Sequence, residues 1–240
     1  MYINKLTLYS HVVNDLRDFY VEKFGFRLVK SDKSGFEIKV GKSVLAFKQT
    51  TNSTTPFYHF AFTIPVNKFK EAKAWAKEKV TLTKEENKDE IFFMHINAQS
   101  FYFIDPAGNI VELISRKLTA PCSETLGFSV EEILTISEIN LTTTKVDSVG
   151  EELLAFGIPV RDDEPLQNDS LNFLGEAEGG SFILLGPANR RWIFSNQYSV
   201  PYPLIIEVDN IKQIELNGRG EVHLSYKKRS VPQRFNALGD

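Results

Sequence analysis

The stretch Phe101-Tyr-Phe-Ile-Asp-Pro-Ala-Gly-Asn-Ile-Val-Glu-Leu-Ile114 constrains the fold more than any other part of the chain. Two apolar runs flank Asp105-Pro106-Ala107-Gly108-Asn109, so the segment reads as strand, tight turn, strand. Proline presets φ at the turn, and glycine or asparagine accepts a positive φ. In the second strand Ile110 and Glu112 share one face, and Val111 and Leu113 share the other. An ionised glutamate amid so much apolar sequence needs a counterpart, because a buried, unpaired carboxylate is costly. That counterpart is a metal, a cation or water.

The segments around this hairpin repeat one order of elements. Residues 2–9 alternate like a strand, and residues 15–23 carry Leu16, Phe19, Tyr20 and, just beyond, Phe24 at helical spacing, with Gly25 as the stop. Strands over 26–30, 35–40 and 43–49 complete a β-α-β-β-β unit in the first 50 residues. The same order returns over 56–117. There, 59–64 forms a strand, and 67–79 a helix with Phe69, Ala72, Trp75 and Ala76 facing inward. Strands follow over 81–83, 91–96, 101–104 and 109–115. Residues 118–129, with Thr, Ala, Pro, Ser and Gly, break the pattern and read as a linker. A third unit follows: a strand over 132–142, a helix over 148–156, and strands near 158–161, 171–174 and 181–185. A fourth is abbreviated. It has a strand over 203–208, a turn or two of helix within 209–217, a strand over 221–226 and an irregular tail over 229–240. The expectation is an α+β fold of tandem βαβββ modules in cupped mixed sheets. Its two domains are 1–117 (modules 1–50 and 56–117) and a degenerate 130–240.

Charge and composition exclude several classes of function. A net charge of −3 and a pI near 5.9 give no bulk attraction to nucleic acid or anionic membrane. The short run Lys227-Lys228-Arg229 reads as a solvated face, and 84–90 as a charged surface loop. One cysteine, Cys122, rules out an intrachain disulfide and fits a reducing compartment. No run of about 18 apolar residues suggests a membrane helix, and the N-terminus alternates rather than showing a signal-peptide layout. The expected setting is cytoplasmic. No phosphate-binding loop, dinucleotide fingerprint, zinc CxxC pair or serine nucleophile elbow occurs.

The segment Phe103-Ile-Asp-Pro-Ala-Gly-Asn-Ile-Val-Glu-Leu113 resembles the final-strand signature of the glyoxalase, bleomycin-resistance and extradiol-dioxygenase group, the vicinal oxygen chelate superfamily. Residues 15–26 resemble its first helix and following strand, and His59-Phe-Ala-Phe62 the start of its second module. The resemblance covers 1–117 well and 130–226 through element order. It implies that paired modules curl into a cup, with metal ligands from two first strands and one last strand. Carried over, these fall on His59 and Glu112, while the remaining first-strand position falls on Lys5 and a fourth on Ala46. An ammonium does not coordinate a metal, so the implied site is incomplete unless His95 or Tyr102 joins it. Alternatively Lys5 pairs with Glu112 and no metal is needed. In the second half Glu138 occupies a first-strand position and is read as a solvent-facing or turn residue ahead of an oxygen ligand; Pro203 stands opposite His59, and His223 is isolated. That half shapes or covers the cup.

The resemblance implies a small-molecule enzyme of the glyoxalase or ring-cleaving dioxygenase type. His59 and Glu112 would be its catalytic and metal-binding residues, and Lys5, Tyr102 and His95 would be substrate-binding. The metal would be Fe, Mn, Ni or Zn, and the protein a monomer or homodimer. The alternatives are a metal-free protein that sequesters a small ligand in the same cup, and a partner-binding scaffold. Arg190-Arg191-Trp192 either clamps an anionic ligand or fixes a loop by salt bridges, the latter being the commoner use of such a cluster.

Overall fold

The structure is a computed structural model and describes residues 1–51 and 53–227. The part of the basic run from Lys228 on, and the 229–240 tail, lie outside the described residues.

Alternating strands dominate the described residues. They are β1 Ile3–Ser10, β2 Leu28–Asp32, β3 Gly35–Val40, β4 Ser43–Gln49, β5 His59–Thr63, β6 Ile91–Phe93, β7 Ala98–Ile104 and β8 Ile110–Arg116 in the first half. The second half adds β9 Thr135–Thr143, β10 Asn172–Leu174, β11 Phe182–Pro187, β12 Leu204–Val208, β13 Lys212–Leu216 and β14 Val222–Tyr226. Helix α1 Val13–Arg17 runs on into a π-helical turn, Asp18–Lys23; α2 is Phe69–Lys79 and α3 is Val146–Ala155. No helix among the described residues is long and apolar enough to cross a membrane. The α+β class and the tandem module order stand as expected.

Two seven-stranded mixed sheets result, ordered β14-β13-β12-β1-β4-β3-β2 and β10-β11-β9-β5-β8-β7-β6. Each draws strands from both sides of the 118–129 connection. The first module continues edge to edge into the fourth, through antiparallel β1 and β12. The second continues into the third, through antiparallel β5 and β9. Within each of the first three modules the first strand lies parallel to the last, as β1 with β4, β5 with β8 and β9 with β11.

Four local expectations need correction. The strand expected near 158–161 is only an isolated bridge, Val160 with Leu174, followed by the 3-10 turn Arg161–Asp163. Residues 209–217 form no helix: β13 pairs antiparallel with β12, and Asp209 and Asn210 take left-handed conformations at the hairpin turn. Short polar side chains tolerate that conformation, which makes a hairpin available where a helix was expected. Residues 81–83 contribute a single bridge, Leu82 with Phe103, rather than a strand. The strand expected over 91–96 stops at Phe93 and becomes the 3-10 turn Met94–Ile96, closed by Asn97 at φ 46°.

The two faces of the second sheet have different fates. Phe60, Val111, Leu113, Ile139, Ile183 and Leu185 point into one large core that also takes Leu6 and Phe47 from the first sheet and Leu16, Ala76 and Leu153 from the helices. On the opposite face Tyr102, Phe182 and Leu184 form a second cluster with Trp192 and Phe194. Trp192 and Phe194 belong to the 188–203 segment between β11 and β12, which straps across that face.

The Asp105–Asn109 turn fixes how β8 meets β5. The buried Asp105 carboxylate accepts bonds from the backbone N–H groups of Ala107 (2.9 Å) and Asn109 (3.0 Å), from the Asn109 side-chain amide (2.8 Å) and from the Tyr20 hydroxyl (2.8 Å). Gly108 sits at φ 84°, a conformation suited to glycine. Asn109 Oδ1 then accepts the Tyr58 N–H at 2.8 Å, and Ile110 N–H donates to the Tyr58 carbonyl at 2.8 Å. The turn thereby sets the register in which His59 pairs with Ile110. Burial pushes the Asp105 carboxyl up to about 6, against the pull of its hydrogen bonds in the other direction. Removing the carboxylate strands several buried donors at once, whereas removing the Tyr20 hydroxyl removes one. Asp105→Ala should cost about 3 kcal/mol and Tyr20→Phe about 1 kcal/mol of unfolding free energy, measured by urea denaturation at neutral pH. Equal costs would show that the turn does not act as a hub.

Candidate metal centre

His59, Glu112 and Glu138 come from three neighbouring strands, β5, β8 and β9. The register places Ala61 opposite Glu112 on one side and opposite Glu138 on the other. His59 lies two residues before Ala61, so its ring points to the same face as both carboxylates. All three side chains are buried, and one ligand atom from each lies within 4.8 Å of the others. His59 Nε2 is 3.4 Å from Glu112 Oε2 and 3.9 Å from Glu138 Oε2.

The surroundings orient each group. His59 Nδ1 lies 3.1 Å from the Ile110 carbonyl, which fixes the proton on Nδ1 when the ring is neutral and leaves Nε2 free to ligate. The His59 backbone N–H donates to Asn140 Oδ1 at 2.9 Å. Arg116, four residues beyond Glu112 on β8, pairs with Glu138 Oε1 and leaves Oε2 toward the histidine. Glu112 Oε1 is buried and has no hydrogen-bond partner among the described residues.

Two carboxylates this close and this dry need positive charge nearby. Burial raises the Glu138 carboxyl, with the Glu112 charge adding to it, while Arg116 and His59 pull it down without cancelling the rise. Burial alone would lower the His59 imidazole; the hydrogen bond and charge of Glu112, the charge of Glu138 and the Ile110 carbonyl outweigh it and raise the pKa. Tyr102 pairs with Glu112 across β7 and β8, and burial together with the two carboxylates lifts its hydroxyl well above the usual range. It therefore keeps its proton and can only donate toward anionic oxygen.

A cavity of about 170 Å³ opens over this cluster. Phe173, Leu184, Trp192 and Ile193 wall it, and Arg190 lines it as well. The Trp192 ring lies 4.8 Å from the His59 ring, and Phe194 stacks on Tyr102 at 4.5 Å. The strap is pinned: Arg191 pairs with Glu85, Glu85 Oε2 accepts the Phe194 N–H at 2.9 Å, and the Gln197 amide donates to the Gly108 carbonyl at 2.9 Å.

Of the residues singled out in the sequence, the structure brings His59, Glu112 and Tyr102 together, and the exposed His95 lines the same cavity from the Met94–Ile96 turn. Lys5 does not meet Glu112. It lies on β1 in the other sheet, where its Nζ donates to Glu37 Oε1 at 2.6 Å. Glu138, expected to face solvent, is 4% exposed and sits in the cluster. The cause of both corrections is one: the second module closes its cup with the third, not with the first. Trp192 was visible only as part of a charged-aromatic triplet. Its triplet neighbour Arg191 fixes a loop by a salt bridge, as expected of such a cluster.

The architecture and the site can now be set beside known proteins. Residues 136–190 match the family model of the toxoflavin-degrading enzyme. A candidate dioxygenase from Bacillus subtilis superposes over 94% of this chain and 84% of its own at 17% identity, with a TM-score of 0.58. The chain has the vicinal oxygen chelate fold. Half-length similarities run to a lactoylglutathione lyase from Agrobacterium tumefaciens (20% identity, 47% of this chain and 92% of that one, TM-score 0.38). A glyoxalase/bleomycin resistance protein/dioxygenase from Alicyclobacillus acidocaldarius is similar in the same way (19% identity, 48% and 91%, TM-score 0.36). Comparison with curated protein sequences gives no match. On this vicinal oxygen chelate scaffold, His59, Glu112 and Glu138 are the group among the described residues that could hold a metal ion.

The His59 environment gives a pH prediction. A histidine whose folded pKa is raised adds stability that is fully present below its unfolded value of about 6.5 and is lost as pH rises through the folded value. In protein stripped of metal, His59 should titrate above 6.5, and Glu112→Gln should bring it down. Imidazole NMR titration reads both; a midpoint unmoved by Glu112→Gln would show that Glu112 is not the source of the rise.

Proposed function

We propose that the protein is a metal-dependent enzyme of the glyoxalase and ring-cleaving dioxygenase type, acting on a small organic molecule through neighbouring oxygen atoms. The observation that carries this reading is the buried His59–Glu112–Glu138 cluster under an apolar cavity, with one carboxylate oxygen of Glu112 left without a partner. A buried acceptor with no donor fits a missing cation. The toxoflavin-degrading enzyme model supports the same class, since its matched range, 136–190, includes Glu138.

His59 Nε2 and one oxygen each from Glu112 and Glu138 would hold the ion on one face, leaving open positions toward the cavity. One imidazole and two carboxylates make an oxygen-rich set of a kind that suits Mn²⁺ and Fe²⁺. A divalent ion bound there would polarise a coordinated substrate oxygen as a Lewis acid. The chain's own groups do the rest. Ile110 keeps the His59 proton on Nδ1, and Arg116 holds Glu138 in its ligating orientation. Tyr102 keeps its hydroxyl proton and offers it to an oxygen on which charge develops. Trp192, Phe173 and Leu184 exclude water and strengthen these electrostatic terms.

Charge balance favours one other reading. With His59 protonated, His59 and Arg116 neutralise Glu112 and Glu138, so the cluster needs no metal for charge balance and the cup would serve to bind and sequester a ligand. Elemental analysis after exposure to Mn²⁺ or Fe²⁺ and gel filtration separates the two. The enzyme reading expects one ion per chain. His59→Ala and Glu138→Ala should each weaken binding by more than about 100-fold, and Arg116→Gln, which removes only the orienting partner, by about tenfold. Protein that retains no ion under these conditions would leave the sequestering reading.

A further inference from the structure

We infer that Arg190 is a ligand-reading residue, and that the cavity takes a small single-ring compound bearing a carboxylate or similar oxyanion. Arg190 lines the cavity, stacks over Trp192 with its guanidinium carbon 5.1 Å from the ring centroid, and makes no side-chain hydrogen bond or ion pair to any described residue. One of its terminal nitrogens is buried and without a partner. The other arginines near this face are paired: Arg116 with Glu138, Arg191 with Glu85, and Arg161 with Asp162 and Glu164.

Stacking does not satisfy a guanidinium. It engages the face of the plane and leaves the in-plane N–H donors directed outward. Partial burial makes the uncompensated charge expensive, in line with the lowering of the Arg190 pKa by desolvation. A planar oxyanion answers both deficits, because it neutralises the charge and accepts the N–H fork in two parallel bonds. Arg190 and His59 both contact the Trp192 ring, the His59 ring at 4.8 Å, and both line the cavity. A ligand in this cavity is therefore within reach of both Arg190 and the His59, Glu112 and Glu138 cluster. Size sets the scale: a dry apolar cavity of about 150 Å³ holds a benzene ring, and this one measures about 170 Å³. The indole face and the apolar walls suit a flat ring better than a flexible chain.

That this ligand reacts rests on the metal-centre reading above; binding through Arg190 does not. The test is therefore made first on protein stripped of metal with chelator, using benzoate and its neutral isostere benzamide in titration calorimetry. Benzoate should bind at least tenfold more tightly than benzamide. Arg190→Gln should remove that preference, Arg190→Lys should keep part of it, and the Mn²⁺ affinity of Arg190→Gln should match wild type. Equal binding of the two probes, no binding of either, or a preference that survives Arg190→Gln would overturn the inference. A chain that binds no metal yet discriminates benzoate through Arg190 would refute the metal reading alone.

Discussion

Antiparallel pairing of β5 with β9 decides where charge can sit in this molecule. β5 lies at the centre of its sheet, parallel to β8 on one side and antiparallel to β9 on the other. Strand geometry puts alternate residues on one face, so the register through Ala61 leaves Glu112 and Glu138 on the same side as His59. Slipping either pairing by one residue would turn a carboxylate into the Phe60 and Leu113 core, where no cation waits. The hydrophobic pattern on the far face thus enforces the polar constellation on the near one. The shift between Ala61 and Phe62 in the β5–β9 pairing lies beside the cluster, where bulges commonly re-aim side chains.

The signature turn acts one step earlier. Asp105 contacts none of the three candidate ligands; it collects donors from its own turn and from Tyr20, and Asn109 ties that turn to Tyr58. Since Tyr58 immediately precedes His59, the turn fixes where β5 begins and so which residue stands beside Ile110. The same loop anchors the strap, through the Gly108 carbonyl and Gln197. A motif that identifies the fold here does so by holding two strands and a cover in register, and the chemistry sits three residues beyond its last turn position.

Local pattern was enough to read the modules, and not enough to read their pairing. Alternation in 59–64 and 109–115 marked β5 and β8, and the rarity of a buried glutamate marked Glu112. Nothing local distinguishes β1 from β9 as the edge partner of β5, because both are apolar first strands of a module. Assigning β1 made Lys5 the apparent first-strand position of the site and left Glu138 to a solvent or turn role. The strap was illegible for a related reason. Its irregular 188–203 sequence has no period, and it is held by contacts with residues near 85, 102 and 108 that are distant in the chain. Residues 209–217 show the limit on the smallest scale, since a short polar segment with apolar Ile211, Ile214 and Leu216 suits a turn of helix or an edge hairpin equally, and the exposed edge of β12 decided it.

The two sheets make the electrostatic logic visible by contrast. Their registers correspond: Lys5 stands where His59 does, Ala46 where Glu112 does, and Ile205 where Glu138 does. In the first sheet no carboxylate remains at the two flanking positions, and Lys5 turns instead to the half-exposed Glu37, a pair that water can also serve. In the second sheet two glutamates persist, buried, with one arginine between strands to share the load. Keeping two carboxylates within reach of each other in a dry cup opposes folding unless cations complete the set. Arg116 supplies one, and either the His59 proton or a metal ion supplies the other. A metal bound here would compete with the proton for the same nitrogen, which would couple its occupancy to pH through His59.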